Sequence, residues 1–278
     1  MNSLGKSLTP TKGQVLTQPV AAGINKWQQL IILTIILAVA GCEYLFVYYD
    51  VAFAIGVALF MVLGIYTIIS IFRLNQAVIC SAESLALLPL YILFTSSLPW
   101  FFINQQYLLP AVYSIIIALS LWHTNRNNIS LKSLFGFRKE KLLRYLLLGI
   151  TIGSVLGTIE YFVLRPPPAF PAFELRFLLR DFAYMLLFVS VAEELLFRGL
   201  IQKDLMATFG DKRGIILAAL VFAVMHLTWR SVPELIFVFF AGLIMGVVYW
   251  RTKSLVAPLI AHGIGNTILV AVLPYIVA

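Results

Sequence analysis

The most regular feature of the sequence is a succession of long apolar runs separated by short polar segments. A helix needs roughly 20 mostly apolar residues to cross a hydrocarbon layer about 30 Å thick. Such runs are found at Trp27–Tyr49, Val51–Phe72, Ser84–Ile103, Tyr107–Trp122, Leu142–Leu164, Phe177–Ile201, Gly214–Trp229, Val232–Trp250 and Leu255–Ile276. The fourth run is short. The pattern therefore predicts an all-α, polytopic transmembrane helical bundle of about eight to nine spans.

Composition and charge agree with this fold class. Hydrophobic residues make up 61% of the chain and charged residues 12%, and the mean hydropathy is +0.96. A soluble core with a solvated surface cannot be built from that composition. The net charge of +8 does not indicate nucleic-acid binding, because the basic residues lie between the spans.

The distribution of basic residues predicts the orientation. With the N-terminus inside the cell, fifteen of the 20 Lys and Arg residues lie on the inner side and four on the outer side, while Arg198 lies within a span. This bias is the positive-inside pattern, which gives an N-in chain with its C-terminus outside. We expect a multi-pass protein of the cell membrane, most simply the plasma membrane of a prokaryote.

Polarity divides the chain into three parts. Residues 1–26 are expected to be a polar cytoplasmic tail, residues 27–145 a four-span region without an assigned role, and residues 146–278 the functional core. Within 123–144, six basic residues alternate with apolar ones, which fits either a short helix on anionic lipids or a plain basic loop. No internal repeat is visible.

The sixth run carries the residues that a lipid-facing helix would exclude. Glu193, Glu194 and Arg198 each cost about 2.5–3.5 kcal/mol at the centre of a bilayer. Glu194 and Arg198 are four residues apart, so they are predicted to form an ion pair on one helix face. Glu193 points about 100° away, so it must find a partner on another helix or take up a proton. A carboxyl group of this kind is suited to general-base catalysis.

Two later runs add imidazoles at four-residue spacings. Phe222 precedes His226, and His262 precedes Asn266. At 1.5 Å per residue, Glu193, His226 and His262 lie at depths compatible with one cavity. There, zinc could be held by His226, His262 and Glu193, or a Glu–His pair could deprotonate water directly. Asn266 could donate to an oxyanion. The HExxH zinc motif is absent, and both possibilities stay open.

Three ordered motifs carry a resemblance to a known family. They are Glu193-Glu194-x-x-x-Arg198, Phe222-x-x-x-His226 and His262-x-x-x-Asn266. Over about residues 174–270 the chain resembles the CPBP family, which comprises CAAX prenyl endopeptidases and bacteriocin-processing or immunity proteins. The resemblance implies that Glu193 and His226 activate water, while His262 and Asn266 stabilise the oxyanion. The family is usually described as metalloproteases, and a metal-independent glutamate mechanism is also proposed for it.

The expected function is therefore that of an intramembrane endopeptidase. It would hydrolyse peptide bonds of membrane-associated or lipidated peptides with water activated by glutamate and histidine, and Glu194 is included among the catalytic residues, with Arg198 and Phe222 in support. One alternative is a non-catalytic immunity or scaffold protein of the same fold. Another is a carrier, since intramembrane acids also mark ion pathways, although matched repeats are missing.

The orientation can be tested with reporters. Because of the charge bias, a reporter fused after Lys212 should be cytoplasmic and one fused after Ala278 external, as read by paired phosphatase and fluorescent-protein fusions. A cytoplasmic reporter at Ala278 would remove one span and overturn the orientation.

Overall fold

The computed structural model describes residues 24–98 and 100–277, with the side chain of Trp100 also left undescribed. The predicted tail thus lies outside the described residues up to position 23. The main helices are α1 Lys26–Tyr48, α2 Val51–Ile71, α3 Gln76–Ser96, α4 Leu108–Arg126, α5 Leu131–Phe135, α6 Leu142–Leu164, α7 at 175–209, α8 Asp211–Val224, α9 Val232–Thr252 and α10 Val256–Ile276. Short 3₁₀ turns occur at Trp100–Phe102, Gln105–Tyr107, Lys139–Lys141 and Leu227–Trp229. In the described part of the chain there is no strand, which confirms the all-α fold class.

Eight of the described helices are long and apolar enough to cross a membrane, so the chain is a multi-pass membrane protein. Helix α7 carries too many charges to be counted among them. Its two ends nevertheless contact opposite ends of the bundle. Gln29 Nε2, at the start of α1, donates to the Thr208 carbonyl at 3.0 Å. At the other end, Phe177 stacks on Phe170, whose backbone N–H donates to the Tyr275 hydroxyl of α10 at 3.0 Å.

Because α7 runs the whole length of the bundle, α1 begins at the end opposite to the one where α10 terminates. This arrangement agrees with an odd number of crossings. Which end faces the cytoplasm stays a prediction from the charge bias.

Helix α3 differs most from its predicted bounds. It begins at Gln76, where the Asn75 side chain caps it by accepting from Ala77 N at 3.0 Å, and it ends at Ser96 rather than Ile103. The polar residues of its first turns are satisfied inside the protein. Glu83 pairs with Arg126 at 3.3 Å, and Ser81 Oγ lies 2.9 Å from the Thr208 hydroxyl. A helix can therefore continue through a segment that is too polar to face lipid.

The basic segment 123–144 does not form one surface helix. His123 and Arg126 belong to α4, and only the five residues of α5 are helical before the 3₁₀ turn. The Phe135 carbonyl accepts from Leu255 N at 3.1 Å and from Ser254 Oγ at 2.9 Å. The segment is therefore anchored to the turn between α9 and α10. Contact of its basic side chains with anionic lipids stays a prediction.

The closest helix packing joins α6 to α10. Gly149, Gly153 and Gly157 recur every fourth residue on one face of α6 and are buried. A Cβ added at Gly153 would lie 2.3 Å from the Ala261 carbonyl oxygen, and one at Gly157 would lie 2.3 Å from that of Gly265. Small residues at such spacing let the backbones of membrane helices touch. This contact fixes α10, and with it His262, relative to α6.

We expect Gly157→Ala to destabilise the bundle, because the new methyl group meets backbone that cannot move aside. The cost should be about 1–3 kcal/mol, the usual range for overpacking, and should lower the midpoint of thermal aggregation in detergent. The matched control is Gly64→Ala in α2, where an added Cβ has nothing within 4 Å. Equal midpoints for the two variants would contradict the close α6–α10 contact.

Candidate active site

Helix α7 changes its pitch around the two glutamates. Met185–Ser190 and Glu194–Gln202 form the wider turns of a π-helix, and the short α-helical stretch Val191–Glu193 separates them. Wide turns of this kind are rare and frequently occur at functional sites. Helix α10 approaches α7 at the same level, since a Cβ added at Gly263 would lie 2.7 Å from a Leu186 methyl carbon. The approach carries the neighbouring His262 to the glutamates.

The Glu194 carboxylate lies at the centre of the polar contacts and is 0% exposed. Its Oε1 atom accepts from Arg198 Nη1 at 2.9 Å and lies 2.7 Å from His262 Nδ1. A carboxylate only accepts hydrogen bonds when it is ionised, so His262 Nδ1 carries a hydrogen. The predicted Glu194–Arg198 ion pair is thus present and has a third member. Glu194 orients His262 from behind.

The Arg198 guanidinium has no access to water, being 2% exposed. Besides Glu194 it faces the Gly242 carbonyl at 3.5 Å and lies 4.3 Å from the centre of the Phe222 ring. A carboxylate, a carbonyl and an aromatic face are each a partner that stabilises a buried guanidinium. The guanidinium thus has a partner on each of these sides, and its supporting role stays a prediction.

His226 lies just beyond helix α8 rather than within it. The helix ends at Val224, and the backbone N–H of His226 donates to the Ala223 carbonyl at 3.0 Å. Because this N–H bonds to Ala223 and not to Phe222, the Phe222 carbonyl is free to accept a hydrogen bond from the His226 ring, with Nδ1 at 2.9 Å. Because a carbonyl can only accept, the hydrogen of a neutral ring resides on Nδ1, and Nε2 is left as an acceptor. The sequence, which placed His226 inside a span reaching Trp229, did not indicate this.

The Phe222 ring packs against Arg198 and against both imidazoles. Its ring centroid lies 4.7 Å from that of His226 and 6.2 Å from that of His262. On another side it meets the ring of Phe197 edge-on at 4.9 Å. The ring thus contacts both imidazoles, and the supporting role of Phe222 stays a prediction.

Four predicted catalytic residues line one cavity of about 250 Å³: Glu193, His226, His262 and Asn266. Glu193 Oε2 lies 3.6 Å from His262 Nε2 and has no hydrogen-bond partner among the described residues, so His262 is an ionic partner for Glu193 when its ring is protonated at both nitrogens. A second cavity of about 220 Å³ also reaches Glu193 and His226, and Glu43 and Tyr91 line its far side. Glu193 and His226 therefore stand where two cavities meet.

Three residues of the site were missed by the sequence reasoning. Tyr113 of α4 lines both cavities and interacts with the Glu193 carboxylate through its hydroxyl. Glu43 lines the second cavity, and Glu160 of α6 lines the first. Glu43 and Glu160 were detectable as carboxyl groups within or beside apolar runs. Nothing in the sequence distinguished Tyr113 from the other aromatic residues, which are common throughout the spans.

The described part of the chain has no cluster of ligands that matches the predicted zinc site. Among the described residues, no three His, Cys, Asp or Glu side chains are placed to hold a metal ion. His262 in particular has Nδ1 bound to Glu194 and Nε2 directed at Glu193. The predicted ligands Glu193, His226 and His262 thus do not form a coordination sphere as they stand.

Comparison with known proteins adds one finding. Residues 175–268 match a family model described as type II CAAX prenyl endopeptidase Rce1-like. Searches of curated proteins and of solved structures found no match to the chain. The matched segment is about a third of the chain and contains all three motifs and their helices, α7 to most of α10. The family that the motifs predict is therefore confirmed for residues 175–268, which match the Rce1-like type II CAAX prenyl endopeptidases.

Proposed function

We propose that this protein is an intramembrane endopeptidase that hydrolyses peptide bonds of membrane-associated or lipidated peptides, in the plasma membrane of a prokaryotic cell. The observation that carries the proposal is the convergence of Glu193, His226, His262 and Asn266 on one cavity. These residues come from α7, from the turn just beyond α8 and from α10, over a span of more than 70 positions in the sequence. Their groups supply a proton acceptor, an imidazole acceptor and donors for an oxyanion, as hydrolysis requires.

Glu193 and His226 are suited to activating water. A water molecule in the cavity can donate one hydrogen to the Glu193 carboxylate and the other to His226 Nε2, which the bond from Nδ1 to Phe222 leaves free to accept. Glu193 takes the proton as the water oxygen bonds to the carbonyl carbon of the substrate. The same proton then passes to the nitrogen of the leaving amine, and the C–N bond breaks.

His262 and Asn266 are suited to stabilising the tetrahedral intermediate. The Asn266 amide donates directly, and His262 donates from Nε2 when its ring is protonated at both nitrogens. Glu194 favours that protonated ring, since its carboxylate lies 2.7 Å from Nδ1. Arg198 in turn compensates the Glu194 charge at 2.9 Å. The chain Arg198–Glu194–His262 thus keeps a cationic donor beside the developing oxyanion.

The walls of the cavity suit an apolar substrate segment. Its lining includes Leu109, Leu156, Phe237, Val238 and Leu269. Such a lining favours the hydrophobic part of a membrane-embedded or lipidated peptide and keeps bulk water away from the carboxylate. A non-catalytic immunity or scaffold protein has no use for the free nitrogen of His226 in such a cavity, which favours catalysis over that alternative.

We expect the conservative substitution Glu193→Gln to slow turnover strongly while leaving insertion and folding intact, because it removes only the proton acceptor. Cleavage should fall about 10²–10⁴-fold, the range typical of general acid–base groups. His226→Ala should be at least as severe, and Asn266→Ala should lose about 10²–10³-fold, the effect of one oxyanion donor. Quantitative proteomics of cells should identify uncleaved precursors, and purified protein should then be assayed on those substrates.

Glu174→Gln is the matched control, since Glu174 lies just before α7 in an ion pair with Arg176 at 2.7 Å. It should behave as wild type. Full biological function in both Glu193→Gln and His226→Ala would refute the peptidase proposal and favour the scaffold. In the same assay a chelator should leave activity unchanged, whereas loss that zinc restores would require a metal mechanism instead.

We expect Arg198→Leu to lower the amount of folded protein as well as activity, because Glu194 is left buried beside an imidazole only. Breaking a buried pair in this way costs about 3–5 kcal/mol. The control is Arg176→Leu on the same helix, where an exposed ion pair with Glu174 is lost at a cost of about 0–1 kcal/mol. Folded yield after size-exclusion chromatography measures both. Normal accumulation of inactive Arg198→Leu would instead assign the arginine to the chemistry.

A further inference from the structure

Two carboxyl groups beside the cavity have no role in the proposed hydrolysis. Glu160 of α6 lines the cavity four residues after Leu156, so both lie on one face of the helix. Glu234 of α9 is one turn before Val238, on the face that continues through Ala241 and Met245. Those last three residues all line the same cavity. Helical spacing therefore directs Glu234 toward the end of the cavity where Glu160 stands, and the two carboxyl groups interact.

The two carboxyl groups lack a counter-ion. Glu234 is 0% exposed, and neither of its carboxylate oxygens accepts a hydrogen bond from an N–H group or a hydroxyl; the carboxyl of Glu160 is the group that it meets. The charged groups acting on Glu160 are the carboxyls of Glu234 and Glu193. Among the described residues no Lys, Arg or His forms an ion pair with Glu160 or Glu234. Glu234 is buried and Glu160 is half-buried. Two adjacent carboxyls in such a place repel each other when both are ionised, so the pair either shares a proton or receives a positive group from outside.

We propose that Glu160, backed by Glu234, forms an acidic subsite that binds a cationic side chain or amino group of the peptide substrate. The apolar wall of Leu156, Phe237 and Val238 suits the methylene stem of a Lys or Arg, whose charged head would reach the carboxyls. No third His, Cys, Asp or Glu joins the pair within the described residues, which favours an organic cation over a metal ion. The subsite deepens the proposed peptidase function and rests on it.

The position of the pair gives the substrate a direction. Glu160 lies four residues before the end of α6, and Glu234 two residues after the start of α9. Both therefore lie near the end of the bundle where α10 terminates, while Glu193 lies in the middle of α7. A bound substrate would place its cationic residue toward that end and its scissile bond deeper, beside Glu193.

The subsite can be tested by binding, without turnover, in the Glu193→Gln protein in detergent. The probe is a set of fluorescent apolar decapeptides with a single Lys moved through each position, each paired with the same peptide carrying norleucine. At one or two positions the Lys peptide should bind at least tenfold more tightly. Adding Glu160→Gln or Glu234→Gln should reduce that ratio to below threefold, since the amide keeps the shape and removes the charge. Adding Glu140→Gln, an exposed residue at the opposite end, should leave the ratio unchanged.

A second measurement guards against variants that fail to fold. Binding of the preferred Lys peptide should release about one proton, the one shared by the pair, when calorimetry is repeated in buffers of different ionisation enthalpy. The norleucine peptide should release none. Absence of any Lys preference, a preference that survives Glu160→Gln, or binding without proton release would overturn the subsite.

These outcomes separate the subsite from the peptidase proposal. If the protein with Glu193 intact cleaves peptides but shows no Lys preference, the peptidase stands and the subsite fails. If the Lys preference depends on Glu160 and yet no peptide or cellular precursor is cleaved, the subsite stands as a binding site and the peptidase fails.

Discussion

The site depends on one buried interaction, the bond of the Glu194 carboxylate to both Arg198 and His262. Its two contacts, 2.9 Å to Arg198 and 2.7 Å to His262, join α7 to α10 where no water can compete. An unpaired charge in that position would cost several kcal/mol, so each of the three groups needs the other two. The same bond that permits charges inside the membrane also aims the second nitrogen of His262 at Glu193.

Close helix packing makes this bond possible. The glycine face of α6 lets α10 approach until backbone meets backbone, and Gly263 removes the side chain that would hold α10 away from α7. Without a strong hydrophobic force between helices in lipid, such contacts and interhelical hydrogen bonds supply the association. The wide turns of α7 lie at the same level as the glutamates. The residues that pack α7 against α10 and the residues of the site therefore lie on the same few helical turns.

The first four helices contribute more than anchorage. Tyr113 of α4 interacts with Glu193, and Glu43 and Tyr91 line the cavity on the far side of that residue. At the other end, α3 buries polar groups against α4 and α7: the buried Glu83 pairs with Arg126 at 3.3 Å, and Ser81 Oγ lies 2.9 Å from the Thr208 hydroxyl. The region outside the family match thus completes the wall around the Glu193 carboxylate.

The sequence alone determined the fold class, most helix positions and the residues of the three motifs, because lipid imposes a length and a polarity that can be read residue by residue. It also determined the Glu194–Arg198 pair, since four residues make one helical turn. Only the tertiary structure decided that His262 completes that pair, that His226 leaves its helix to expose Nε2, and that Tyr113 and Glu160 join the site. Those facts depend on which faces of distant helices meet, and single-helix periodicity carries no information about that choice.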